Sequence, residues 1–278
     1  MAVNWASVDV AVPRRPGFSM AGFSHHGPTS VDIAMVAHPS VTLLFDLSGL
    51  ACETGGRRRQ GSVAVGLLPG DLRVAGGQGA CLQVRLPPVA LLGMSADLSG
   101  TAAPLDEVWG REVGQVEDRL RAAASWDDRF AIVARFLARR LDARRRVDPE
   151  LGFLWRRILA SRGRLRVEEL AGEVGWSRKR LWSRCRAQLG ITPKRAARLV
   201  RFDHAAHLLA AGQDAAGVAA AGGYADQSHL HRETRALTGL TPAAVAAAPW
   251  LAIDDVAWPV AAGQASGSGV HRRISSFS

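Results

Sequence analysis

The stretch Leu170–Pro193 reads LAGEVGWSRKRLWSRCRAQLGITP, and Val218–Pro242 repeats its plan in other letters as VAAAGGYADQSHLHRETRALTGLTP. Gly175 aligns with Gly223, Trp176 with Tyr224, Leu181 with Leu230, and Gly190-Ile191-Thr192-Pro193 with Gly239-Leu240-Thr241-Pro242. The offset is 48 at the first glycine and 49 beyond the turn, so the second copy carries one extra turn residue. Each copy predicts a short helix, a glycine-aromatic turn and a second helix. A helix-turn-helix needs glycine where the backbone turns sharply with a positive φ, and a small residue in the first helix so that the second can approach. Gly175 and Gly223 meet the first need, Ala171 and Ala219 the second.

Leu181 and Leu230 are the apolar anchors of the second helices, which turns their neighbours outward. The first helix then presents Arg178, Lys179, Arg180, Trp182, Ser183 and Arg186, and the second Gln227, Ser228, His231, Arg232 and Arg235. Arginine and lysine suit guanine edges and phosphates, glutamine and serine suit adenine edges or phosphates, and aromatic faces suit thymine methyls. Charge points the same way. The chain has a net charge of +10. Residues 1–149 hold 17 basic and 15 acidic side chains, whereas residues 150–242 hold 16 basic and 8 acidic. The basic excess coincides with the repeat, which favours a polyanionic partner over a merely solvated surface.

Working outward, Ser177, Asp214 and Asp226 are expected N-caps, and Thr192-Pro193 and Thr241-Pro242 open helices with proline in the first turn. The connecting helix is predicted over residues 193–211, about 28 Å at 1.5 Å per residue. That length is close to one turn of B-DNA, roughly 34 Å, so two recognition helices would reach successive major grooves with some bending of the duplex. Upstream, helices are expected at 151–161, 126–141, 112–124 and 105–109, with another in PPVALLGM at 87–94. From about Gly17 to Leu86 the runs VDIAMVA, SVTLLFDLSG, GSVAVGLL and ACLQVRL, set between Gly, Pro and Ser, predict short strands of a small antiparallel barrel or sandwich. The fold class is therefore α+β, with an all-α C-terminal part. A polar linker is expected at 143–150 and a flexible Gly/Ser-rich tail at 249–278, with Trp250 and Trp258 as local anchors.

Residues 151–248 resemble the DNA-binding domain of the AraC/XylS family of bacterial transcription regulators, most specifically in GGYADQSHLHRETRALTGLTP at 222–242 and in the connecting helix RAARLVRFDHAAHLLAAG at 195–212. The resemblance implies base contacts from Lys179, Trp182 and Ser183 in the first unit, and from Gln227, His231 and Arg232 in the second. Ser183 stands where the family commonly has arginine, and Cys185 and Thr234 where it has a core phenylalanine. The family plan also implies a cupin-like sensor and dimerisation helices over residues 1–148. Partners implied are operator DNA, RNA polymerase for an activator, a second copy of the chain and a small-molecule effector. The strands suit an apolar pocket, or equally a barrel filled by its own side chains.

Other readings are weighed against this one. Cys52, Cys81 and Cys185 are odd in number and far apart, without a C-x-x-C pair, which argues against a disulfide framework or zinc ribbon and suits a reducing compartment. No run approaches membrane-spanning length and no signal-peptide core is visible, so a soluble cytoplasmic protein is expected. His25, His26, His38, His204 and His207 lack the partners a metal site needs, and no cofactor fingerprint appears. Arg57-Arg58-Arg59 and Arg144-Arg145-Arg146 are expected in solvated loops. An enzyme fused to the DNA-binding module would require a reactive cysteine in a basic, exposed setting, for which Cys52 is the candidate. A non-specific architectural binder would ignore sequence.

Overall fold

The computed structural model describes residues 8–13, 19–27, 31–34, 37–49, 51–54, 57–67, 73–76, 78–91, 102–142, 148–247 and 272–273. The first part of the chain is strand-rich: β1 (Val8–Ala11), β2 (Ser19–His25), β3 (Val31–Ala34), β4 (Val41–Asp46), β5 (Ala51–Thr54), β6 (Arg57–Gln60), β7 (Val63–Val65), β8 (Arg73–Gly76), β9 (Gly79–Leu86) and β10 (Ala102–Pro104). These form two antiparallel sheets rather than a closed barrel. One runs β10-β7-β4-β9-β2-β1 and gains β11 (Arg272–Arg273) at its edge; the other runs β3-β8-β5-β6. Arg57-Arg58-Arg59, expected in a loop, instead lies in β6 paired with β5, and Arg59 reaches Glu107 at 3.4 Å. Pairing to β5 supplies the backbone partners that a loop would have taken from water.

The period-two alternation of the strands places the larger sheet between two layers. On β4, Leu43 and Phe45 face one side, and on β9, Leu82, Val84 and Leu86 join them in the main core. Leu44 and Cys81 face the other side, where they meet Cys52 and Val74 of the smaller sheet together with Val63 and Val65. The main-core side is covered by α1 (Leu105–Trp109), α2 (Glu112–Ala122) and α3 (Trp126–Asp142). Phe136 of α3 meets Phe45 and Trp109 edge-on, with centroids 6.4 and 5.3 Å away. The ring of Trp126 lies against the backbone of Gly22, where any side chain would collide with it. Of the expected PPVALLGM helix, Pro88–Leu91 is one 3-10 turn and residues 92–94 lie outside the described residues.

The remaining helices are α4 (Pro149–Ala160), α5 (Val167–Glu173), α6 (Arg178–Leu189), α7 (Pro193–Ala210), α8 (Ala215–Gly222), α9 (Gln227–Thr238) and α10 (Pro242–Ala246). The expected boundaries hold to within a residue or two at most ends. Residues 143–147, with Arg144-Arg145-Arg146, lie outside the described residues, as does the tail 249–278 apart from Arg272–Arg273, which pair with Val10 and Asp9 of β1.

The cores are divided unevenly. Leu151, Leu154, Trp155 and Ile158 of α4, Leu170 and Ala171 of α5, Leu181 and Cys185 of α6, and Leu199 and Val200 of α7 belong to the same continuous core as Phe45, Leu82 and Phe136. The second helical unit has separate small cores. One joins Ala205 and Leu209 to Val218, Ala219, Tyr224 and Leu230, and another joins Phe202 and Ala206 to Val245. Among the described residues no helix is long and apolar enough to cross a membrane.

Candidate nucleic-acid interface

Each recognition helix is set by a cap, a turn and a buried anchor. Ser177 accepts a hydrogen bond from the Arg180 amide at 3.2 Å, and Asp226 accepts one from the His229 amide at 2.6 Å. These bonds satisfy amides that have no partner within a helix's first turn. Gly175 and Gly223 precede the caps with φ of 65° and 71°. The Trp176 and Tyr224 amides donate back to the carbonyls of Ala171 and Ala219, both at 2.9 Å, so the two turns close alike. The extra residue of the second copy is Ala225. It sits between Tyr224 and the cap, and its amide donates to Nδ1 of His229 at 3.3 Å. Leu181 and Leu230 are fully buried beneath the two helices.

Every sequence-predicted contact residue lies on an outward face. Arg178, Lys179, Arg180, Trp182, Ser183 and Arg186 are exposed on α6, and Gln227, Ser228, Arg232 and Arg235 on α9, with His231 half-buried. Trp182 keeps 50% of its surface in solvent, unusual for so large an apolar group, with the Arg186 guanidinium 5.6 Å from its ring centre. Arg180 covers the Trp176 ring at 4.8 Å. Arg178 is paired with Glu168 of α5 at 3.2 Å on the surface, where such a pair adds little stability. Cys185 and Thr234, where bulk was expected, are both buried; the Thr234 hydroxyl donates to the Leu230 carbonyl at 2.8 Å.

A residue that outward-face reasoning passed over orients the second helix. Glu233, 3% exposed, projects from the inner side of α9 onto α7. It accepts from Nε of Arg198 at 2.9 Å and from Nη2 of Arg201 at 3.0 and 3.2 Å, and His229 stands 3.7 Å away. The Arg201 guanidinium also lies 4.8 Å from the Tyr224 ring centre. Burial and then the Glu233 charge push the Tyr224 phenol well above its usual range. The only available signal in the sequence was a carboxylate on a basic helix, matched by two arginines three apart on the connecting helix. The equivalent residue of α6, Arg184, instead meets Asp148 at 3.5 Å, to which Gln188 donates at 2.9 Å. Helix α6 is thus tied to the start of α4 and helix α9 to α7. Arg157 of α4 grips Glu173 of α5 through two bonds of 2.7 and 2.6 Å, which holds the Glu173 carboxyl below its usual range.

The cysteines have no place in this surface. All three are buried; burial, followed by the charge of Asp46, pushes Cys52 up to about 11 and Cys81 to about 12, and burial pushes Cys185 to about 12. The exposed, basic setting that the enzymatic alternative would require of Cys52 is not what surrounds it: its thiol is buried between the sheets and held protonated, the reverse of an activated nucleophile.

Residues 170–248 match the family model described as a helix-turn-helix domain. A search of curated proteins found no match. Among solved structures, ToxT from Vibrio cholerae O395 is similar at 10% identity and a TM-score of 0.46, over 88% of this chain and 96% of that one. An unsaturated fatty acid-bound ToxT from Vibrio cholerae strain SCE256 aligns at 11% identity and a TM-score of 0.43, over 88% and 94%. The AraC-like transcriptional activator CuxR aligns at 18% identity and a TM-score of 0.25, over 65% and 80%. Matched turns, caps, anchors and outward basic faces agree with the family match, and residues 170–248 form a helix-turn-helix domain.

Proposed function

We propose that the chain is a sequence-specific transcription regulator in which residues 149–248 read an asymmetric two-part operator. The observation that carries this reading is the unlikeness of the two exposed recognition faces. One holds Arg178, Lys179, Arg180, Trp182, Ser183 and Arg186, and the other Gln227, Ser228, His231, Arg232 and Arg235. A binder indifferent to sequence needs charge alone. An 18-residue α7, about 27 Å long, separates the two units and suits successive major grooves on one face of a bent duplex. One chain then recognises a site that need not be a palindrome.

The finer assignment gives residues 1–148 a sensing and dimerising role. A small-molecule effector belongs to this finer assignment; the residues between the sheets, Leu44, Cys52, Val63, Val65, Val74 and Cys81, are apolar and pack on one another. RNA polymerase is the further partner if the regulator activates. Selection of bound duplexes from a randomised pool tests the reading. Enrichment of a bipartite site with halves about one helical turn apart is the expected result. Uniform recovery of the pool would leave only an architectural binder.

A further inference from the structure

The turn between α4 and α5 is built in a way that the reading of bases does not use. Arg162 is the one non-glycine residue with a positive φ among the described residues, at 53°, and Gly163 follows at 71°. Their amides donate back to Leu159 and Ile158, both at 2.9 Å, closing the end of α4. Any side chain at Gly163 would collide with the Ala197 carbonyl and crowd the Arg201 amide, so the turn is pressed onto α7 backbone. Arginine gains nothing in that conformation from its own backbone; asparagine or glycine would adopt it more easily. The side chain is the remaining reason for arginine there.

The turn also spans the two units. The Arg162 guanidinium donates to Nε2 of His204 on α7 at 3.1 Å. Burial, then Arg162 and Arg164, lowers the His204 imidazole from its usual range, which favours the neutral ring that accepts from Arg162. Arg164 donates to the Ser161 carbonyl at 3.3 Å, and its stem lies over Gly223, the turn glycine leading into α9. Both arginines are exposed, and neither has a carboxylate partner among the described residues. Most other arginines of this domain that pack between elements, such as Arg157, Arg184, Arg198 and Arg201, do have one.

We infer that Arg162 and Arg164 form a backbone-phosphate site at the junction of the two helix-turn-helix units, gripping the strand that passes between the two grooves. The inference rests on the DNA-reading assignment above and adds a contact that carries no base information but fixes the register of both readers at once. Phosphate oxygens match two exposed guanidiniums carried by a turn that packs on α7.

The test is the salt dependence of binding of the full chain to a mixed-sequence duplex of about four helical turns. Each arginine on a phosphate contributes about one unit to the slope of log K against log salt. The variant Arg162→Gly keeps the left-handed turn and removes only the guanidinium; it is expected to lower the slope by about 1, and Arg162→Gly with Arg164→Gln by about 2, with unfolding midpoints unchanged. A slope equal to that of the wild type in the folded single variant overturns the site. A loss confined to one selected sequence overturns it too, because the arginine would then read a base. Failure of the wild-type chain to bind any duplex would instead refute the DNA-reading assignment on which the site depends.

Discussion

Glu233 and Arg232 are adjacent on α9 and do opposite work. Arg232 points to solvent, whereas Glu233 points inward to Arg198 and Arg201. Arg232→Ala is expected to weaken binding to a selected operator by about 1–3 kcal/mol and to relax preference at one base pair. Equal losses on all sequences in a competition assay would make it a phosphate contact. Glu233→Ala leaves two arginines, one largely buried, without their shared carboxylate. It is expected to destabilise the domain by about 3 kcal/mol in chemical denaturation, while Glu233→Asp, which keeps the charge, recovers part of that loss. The cysteines give a residue-scale check on the enzymatic alternative. With all three buried, a thiol-specific chromogenic reagent should label the native chain slowly at every position and quickly once denaturant is added; rapid native labelling of Cys52 would revive it.

At the scale of elements, the two copies share anchors, caps and closing turns but differ in how they are braced. The extra turn residue, Ala225, donates a hydrogen bond to His229, and the cap that follows is more extended than its counterpart: Asp226 has φ −160° and ψ 175°, Ser177 φ −67° and ψ 152°. Gly223→Ala would hold a side chain in the left-handed region and is expected to cost about 1–2 kcal/mol, read as a lowered unfolding midpoint with the secondary structure unchanged. Elements whose faces alternate or repeat regularly were legible from sequence. Helix α1 spans the residues its sequence predicts, and Ser177, Asp214 and Asp226 are the caps their side chains predict. Strands β1 and β10 lie outside the region whose texture predicts strands, and β5, β6 and β8 were not legible because CETGGRRRQ and DLRVAGG carry turn and charge signals that only pairing with neighbouring strands overrides.

In the whole molecule, the first helix-turn-helix unit shares its core with the sheets and α1–α3, and the second hangs on α7 with small cores of its own. His38, on the loop before β4, reaches Asp203 of α7 at 3.6 Å, so the sheets also touch the connecting helix directly. Hydrogen exchange on the full chain should therefore show α8–α10 opening at lower free energy than α4–α6, with α4–α6 protected alongside β4 and β9. Uniform protection across both units would contradict the division. Alkaline pH acts on the whole fold through its buried thiols. In the unfolded chain they ionise near 9.0, in the folded chain only at about 11 to 12, and the raised Tyr224 phenol acts in the same direction. Their contribution is fully present below about pH 9 and is lost as pH rises towards 12. Denaturation midpoints should fall across that window and fall less in a variant with all three cysteines replaced by alanine.

The sequence by itself determined the repeat, the helix caps, the anchors and the outward faces, because each follows from spacing along one helix or from the chemistry of one turn. Only the tertiary structure decided that Glu233 faces inward, that Arg178 is paired with Glu168, that Cys52 is shielded between two sheets, and that Arg162 and Arg164 stand at the junction of the two units. These depend on which distant segments are brought together. Local periodicity says which side of a helix is apolar, but not which charged group on another element will lie opposite it.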